Sequence, residues 1–189
     1  KSVSNQVIVT SPTEETKKIL IDKKIFSEEK IYILKDPILE SLTEDRLQEF
    51  NLRNRNKFLS VGRLTKQKNF SFLINSFSIL VKKFEKITLT IIGENAEEQN
   101  LLENLIIKKN LQKKVFLLGY KKNINSIYKE YDCFILSSLY EDPGAVLVEA
   151  ANSFLPIISS DCPSGPKEIL EYGKNGYLFK TNDQNDFLK

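Results

Sequence analysis

The sequence predicts an α/β protein built on a doubly wound parallel sheet. Apolar runs of strand length alternate with amphipathic stretches of helix length along the chain, which is the order that βαβ units produce. The runs are apolar nearly throughout instead of alternating with polar residues, as strands are when helices cover both faces of a sheet. The size agrees: 189 residues, 41% hydrophobic and 28% charged, suit one ordinary domain with an appendage. That balance excludes the disordered, collagen-like and membrane-spanning classes.

Taken in order, residues 6–10 read as a strand and 13–20 as a helix, with Ser11 or Thr13 as its cap. A second strand follows at 30–34, and Asp36-Pro37 breaks the pattern, because the residue before proline avoids helical geometry. Residues 43–52 have a helical pattern, and 53–56 are polar. From Lys57 the rhythm is regular. Lys57–Val61 is a strand that ends at Gly62. Phe70–Lys83 places Phe70, Leu73, Ile74, Phe77 and Leu80 on one helical face, with Asn69 as its N-cap. Strand 87–92 ends at Gly93, and helix 96–109 repeats apolar residues at Leu101, Leu105 and Ile106. Strand 115–118 ends at Gly119, and a short helix covers 124–130. Strand Cys133–Leu136, helix 145–153 and strand 155–159 come next. One helical turn at 166–170 and a short strand or turn at 176–179 complete the series.

Three segments follow. Residues 1–36 form one strand–helix–strand unit, too small to own a core. Residues 37–56 read as a linker, and 57–189 as the compact doubly wound domain. The chain starts with Lys1 and lacks methionine, so it is expected to be a piece of a longer protein.

Histidine is absent, which removes imidazole as base, nucleophile or metal ligand. Cys133 and Cys162 are too few for a four-ligand zinc site or a disulfide scaffold, and they fit a reduced, cytosolic compartment. Cys133 lies in an apolar strand and reads as core, and Cys162 has no histidine to lower its pKa and so reads poorly as a nucleophile. The net charge of +3 is mild, and lysines are interleaved with glutamates. No stripe for nucleic acid is evident, nor is a signal peptide.

In a doubly wound sheet, ligands sit beyond the carboxyl ends of the strands. The informative loops are therefore 62–69, 93–95, 119–123, 137–144 and 160–165. In the first, Gly62 lets a backbone approach a ligand closely, while Arg63 and Lys68 offer cations that could hold a diphosphate. Taken alone they read more readily as two basic residues on a loop of a lysine-rich chain. Glu141 and Glu149 have seven residues between them, the first on a loop and the second on the following helix. Gly144 and Ala145 fall at that helix's N-terminus, where free N–H groups favour an anion. Glu149 could accept two ribose hydroxyls and Glu141 could face a sugar beyond the phosphates. The turn Asp161-Cys162-Pro163-Ser164-Gly165-Pro166 either closes one side of the same cleft or is a plain connection. Neither a G-x-G-x-x-G fingerprint nor a G-x-x-x-x-G-K-[ST] phosphate loop is present.

In order, Phe58-Leu59-Ser60-Val61-Gly62-Arg63-Leu64 with Lys68-Asn69, the strands ending at Gly93 and Gly119, the run Ser138-Leu139-Tyr140-Glu141-Asp142-Pro143-Gly144 continuing to Glu149-Ala150, and residues 156–165 resemble the C-terminal half of a GT-B-fold glycosyltransferase of family 4. The resemblance covers about 57–179. Residues 4–34 resemble the last strand–helix–strand unit of that family's N-terminal domain, and Asp36-Pro37-Ile38 the start of its linker.

The resemblance implies a Rossmann-like donor domain for a nucleoside diphosphate sugar, with UDP as the carrier. Arg63 and Lys68 match the family's diphosphate-binding pair, and Glu149 the carboxylate that binds ribose. Glu141 matches the first glutamate of the E-x7-E motif, near the donor sugar, and Gly144 and Ala145 match the loop–helix junction that meets the phosphates; Gly62 lies in the matched stretch beside Arg63 and is counted with the donor-binding residues. The implied reaction transfers a hexose or N-acetylhexosamine with retention and needs no metal or other cofactor. The acceptor, a glycan or lipid-linked species, would bind the N-terminal domain, most of which is missing here. Nucleic acid is not an expected partner. The expected location is cytoplasmic, with contact at the inner face of a membrane left open. Where many members have Gly-Phe-Pro after the first glutamate, this chain has Asp142-Pro143-Gly144, a version that resembles a bacterial branch building surface polysaccharides. The chain alone is expected to bind donor weakly and to transfer little. The rival readings are a non-catalytic nucleotide-sugar-binding module, or another GT-B enzyme such as a sugar-nucleotide epimerase, which usually leans on a histidine.

Overall fold

A computed structural model describes residues 7–39 and 55–189; the expected helix at 43–52 lies outside them. Eight strands and seven α-helices are seen among these residues. The first unit is β1 (Val9–Ser11), α1 (Glu14–Asp22) and β2 (Ile31–Ile33), with β1 and β2 paired in parallel. Of the two candidate caps, Thr13 is the N-cap, and its Oγ1 accepts from Thr16 N. Ser11 instead donates to the Thr13 carbonyl.

The main body is β3 (Lys57–Val61), α2 (Phe70–Lys83), β4 (Thr88–Ile92), α3 (Gln99–Lys108), β5 (Val115–Leu117), α4 (Ile124–Tyr128), β6 (Cys133–Leu136), α5 (Ala145–Asn152), β7 (Ile157–Ser160), α6 (Pro166–Ile169), β8 (Tyr177–Phe179) and α7 (Gln184–Phe187). Its six strands form one parallel sheet in the order β5-β4-β3-β6-β7-β8. The order reverses between β3 and β6, and the switch point beyond their carboxyl ends is where doubly wound sheets bind ligands. The doubly wound expectation holds, and no described helix is long and apolar enough to cross a membrane.

Two apolar clusters sandwich the sheet. On one face Phe70, Leu73, Ile74 and Phe77 of α2 pack with Leu102 and Ile106 of α3 and with Leu89 and Ile91 of β4. Each such side chain contributes about 2 kcal/mol when fully buried. On the other face Tyr128, Leu147, Ala150 and Leu170 close over Leu59, Phe134 and Ile157. The bounds of β3, α2 and β6 match the expectation from periodicity. The others shift by up to a few residues.

Three details correct the sequence reading. In α3 the buried register is Leu102 and Ile106, whereas Leu101 is exposed. Leu105 is only partly buried against the core. Asn69 makes no side-chain cap to α2; it sits in the left-handed region at φ 54°, and its Nδ2 donates to Asn182 Oδ1. Finally, α7 was not foreseen. Four residues carry no readable period, but Asp183 caps α7 and Phe187 packs edge-on to Phe179 at 5.1 Å.

The first unit docks on the main body through carboxylates. Glu168 Oε2 and Oε1 accept the N–H groups of Glu14 and Glu15, in the first turn of α1, at 3.1 and 2.9 Å. Glu15 in turn accepts from Ser164 N at 2.7 Å. These groups complement the positive end of the α1 dipole.

Candidate functional site

Two glycines let the loops leave the sheet close together. A β-carbon on Gly93 would sit 1.8 Å from the Gly62 carbonyl oxygen, so the loops after β3 and β4 touch backbone to backbone. Leu64 N donates to the Glu94 carbonyl and Glu98 N to the Leu64 carbonyl, which hold the β3 loop against its neighbour. This loop then turns through a 3-10 segment at Lys66–Lys68.

Beside it lies the loop after β6. Leu139 N donates to the Gln67 carbonyl, Gln67 Nε2 to the Tyr140 carbonyl, and Ser137 Oγ to the Lys68 carbonyl. This stitching brings together two of the expected site residues. Lys68 Nζ lies 2.6 Å from Glu141 Oε1 and 2.9 Å from Oε2. The pair is well covered, with side-chain exposures of 13% for Lys68 and 5% for Glu141. Gly62 flanks the Lys68 stem, and Gly144 flanks Glu141 Cγ. Ser138, fully buried, donates to Glu141 Oε1 at 2.5 Å, and Ser160 Oγ donates to the Ser138 carbonyl at 2.7 Å.

Gly144, at φ 96°, is the N-cap of α5, and Ala145 opens that helix. A β-carbon on Gly144 would lie 3.4 Å from Glu141 Cγ, so the N-terminus of α5, with its unpaired amides, lies beside Glu141. Glu149 sits on α5, half-buried, and accepts from the Tyr128 hydroxyl at 2.8 Å. Burial, and then the charge of Glu149, push the Tyr128 phenol well above its ordinary range. Arg63 is exposed on the β3 loop; its carbonyl accepts from Thr65 N, and its guanidinium makes no hydrogen bond or ion pair among the described residues.

The turn after β7 supports the β6 loop directly. Glu141 N donates to the Pro163 carbonyl, and a β-carbon on Gly165 would lie 1.8 Å from the Pro143 carbonyl oxygen. Residues 161–166 thus pack against the site loop, a contact that both a cleft wall and a plain connection would make. Cys162 is 2% exposed, and burial above all pushes its thiol up to about 11. Cys133 is buried as well, and its thiol is pushed up to about 12 by the same cause. Cavities of about 370 and 320 Å³ open where α1 meets α6 and the loops after β6 and β7; neither is lined by Lys68, Glu141 or Glu149.

Sequence reasoning did not single out Ser138, Ser160 or Tyr128. A serine pair closing an otherwise apolar strand was the visible signal for Ser138. Tyr128 offered none, since it lies 21 residues from Glu149 and meets it only in the fold.

A basic loop, an acidic loop and a helix N-terminus thus meet at the switch point, where doubly wound domains bind their ligands and where a helix N-terminus favours an anion. The chain belongs to the family of glycosyl transferases group 1, whose family model matches residues 43–189. It is 37% identical over 194 residues to an uncharacterized glycosyltransferase of Methanocaldococcus jannaschii, covering 92% of this chain and 47% of that protein. It is 34% identical over 180 residues to the GtfA subunit of a UDP-N-acetylglucosamine–peptide N-acetylglucosaminyltransferase of Streptococcus agalactiae, covering 93% of this chain and 34% of that one. The chain thus spans about a third to a half of these relatives. Among solved structures, the fold matches TarM of S. aureus, crystallised with UDP among its ligands, at a TM-score of 0.81 and 24% identity, over 95% of this chain and 35% of that one.

Proposed function

We propose that the cleft is the donor site of a retaining GT-B glycosyltransferase of family 4. In the whole protein it would transfer a hexose or N-acetylhexosamine from a UDP-sugar to a glycan or lipid-linked acceptor. The observation that carries the reading is the meeting of Lys68 with Glu141 at the β3–β6 switch point, beside the N-terminus of α5. Arg63 and Lys68 hold the diphosphate. Glu149 takes the ribose hydroxyls and Glu141 faces the donor sugar. As the bond to the sugar breaks, negative charge grows on the leaving diphosphate, and the two cations with the amides of Gly144 and Ala145 stabilise it. The reading assigns no metal or other cofactor to this step.

On this reading residues 1–36 belong to an N-terminal acceptor domain, 37–56 to the linker and 57–189 to the donor domain. The protein works in the cytoplasm, at the inner membrane face where the acceptor is lipid-linked. The UDP-N-acetylglucosamine donor in the name of the S. agalactiae relative and the UDP bound to TarM support a uridine nucleotide as carrier.

A calorimetric titration of the full-length protein with UDP, and with ADP and GDP as controls, tests it. Saturable, UDP-selective binding is expected, weakened by roughly 1–3 kcal/mol in Arg63→Ala and in Glu149→Ala, as when a charged hydrogen bond is lost. Unchanged affinity in both variants refutes the site.

A further inference from the structure

Lys68 and Glu141 are given separate ligands by the proposed function, a phosphate and a sugar, yet in the structure they hold each other. Both oxygens of Glu141 are within 2.9 Å of Lys68 Nζ, and Ser138 clamps Oε1 at 2.5 Å. Glu141 is 5% exposed, so little water can replace a lost partner. A diphosphate that draws Lys68 away would leave a buried carboxylate short of its counter-ion, and that is costly.

We propose that this pair is a selector, resting on the donor-site reading, that favours the sugar-bearing nucleotide over the bare nucleoside diphosphate. A sugar beyond the phosphates brings hydroxyl groups that can donate to Glu141 and stand in for Lys68. Bare UDP has no such donor and must compete with Glu141 for Lys68 without compensation. The site then holds the donor and lets the spent carrier leave. Ser138 is the positioning residue of the device, because its hydroxyl keeps Oε1 turned toward Lys68, and Ser160 fixes the Ser138 backbone in turn.

The test measures dissociation constants of the full-length protein for UDP, UDP-glucose and UDP-N-acetylglucosamine, before and after Glu141→Gln. The neutral amide frees Lys68 and offers a poorer acceptor. UDP is expected to bind several-fold tighter in the variant, while the UDP-sugars gain nothing, so the preference for donor over UDP collapses. Ser138→Ala should shift the same ratio in the same direction by a smaller factor, and it carries the test if Glu141→Gln does not fold. If the wild type binds UDP but its affinity is unchanged or weaker in both variants, the selector is overturned and the donor site stands. If the wild type binds neither UDP nor a UDP-sugar, both fall together.

Discussion

The hydroxyl of Tyr128, a side chain with no exposed surface, donates to Glu149 Oε2 at 2.8 Å and ties α4 to α5. The bond holds one carboxylate oxygen of Glu149 toward the protein; on the proposed reading the other meets the ribose.

Tyr128→Phe therefore keeps the packing and removes the tether. Nucleotide affinity of the full-length protein is expected to fall about 5-fold, equivalent to about 1 kcal/mol, with the fold intact by circular dichroism. The same substitution has a pH signature. The folded phenol is raised above its ordinary value, first by burial and then by Glu149. The stability tied to it is fully present below about pH 10, the unfolded phenol's pKa, and is lost as pH rises beyond that. Urea unfolding at pH 9 and pH 11 should show the wild type losing more stability than Tyr128→Phe over that interval. An equal loss in both would contradict this.

Close backbone crossings make two glycines much harder to replace than a third. Alanine at Gly93 or Gly165 would put a methyl 1.8 Å from a carbonyl oxygen, and Gly165 also sits at φ 132°. Each substitution is expected to cost about 3 kcal/mol or more, because backbone must move. Gly119, at φ 65°, has nothing within 4 Å of such a methyl, so Gly119→Ala should cost only about 1 kcal/mol. Thermal melting of the three variants checks the ranking.

Both thiols should be silent in the native protein. With Cys162 pushed up to about 11 and Cys133 to about 12, mainly by burial, only about one Cys162 in a thousand would be thiolate at pH 8, and fewer for Cys133. Iodoacetamide at pH 8 is expected to label neither until urea is added, and then to label both. Rapid labelling of the folded chain would show that the loop after β7 opens readily.

Most of the architecture was readable from sequence because its signal is long-range and redundant. The fourteen residues of α2 carry four apolar repeats, and β3 and β6 are bounded by abrupt changes of polarity. Where the signal was short it failed. A shift of one residue separates Leu101 from Leu102 in α3, and both are leucine, so composition could not choose between them. The site divides in the same way. Lys68, Glu141 and Glu149 were visible as charges on loops and a helix beyond strand ends. Their partners were not, because contacts such as Lys68–Glu141, 73 positions apart, depend on β6 lying beside β3. Nothing local in either segment encodes that adjacency.

That adjacency also sets a timetable. As the chain is made, β3, β4 and β5 are complete long before β6 arrives to fill the open flank of β3. Until then the loop bearing Lys68 has no opposing wall, and a ligand has nowhere to lodge. Whatever binds this crevice adds its stabilisation only to the finished sheet. It can guard the domain against unfolding, but it offers no help to a half-made chain still leaving the ribosome.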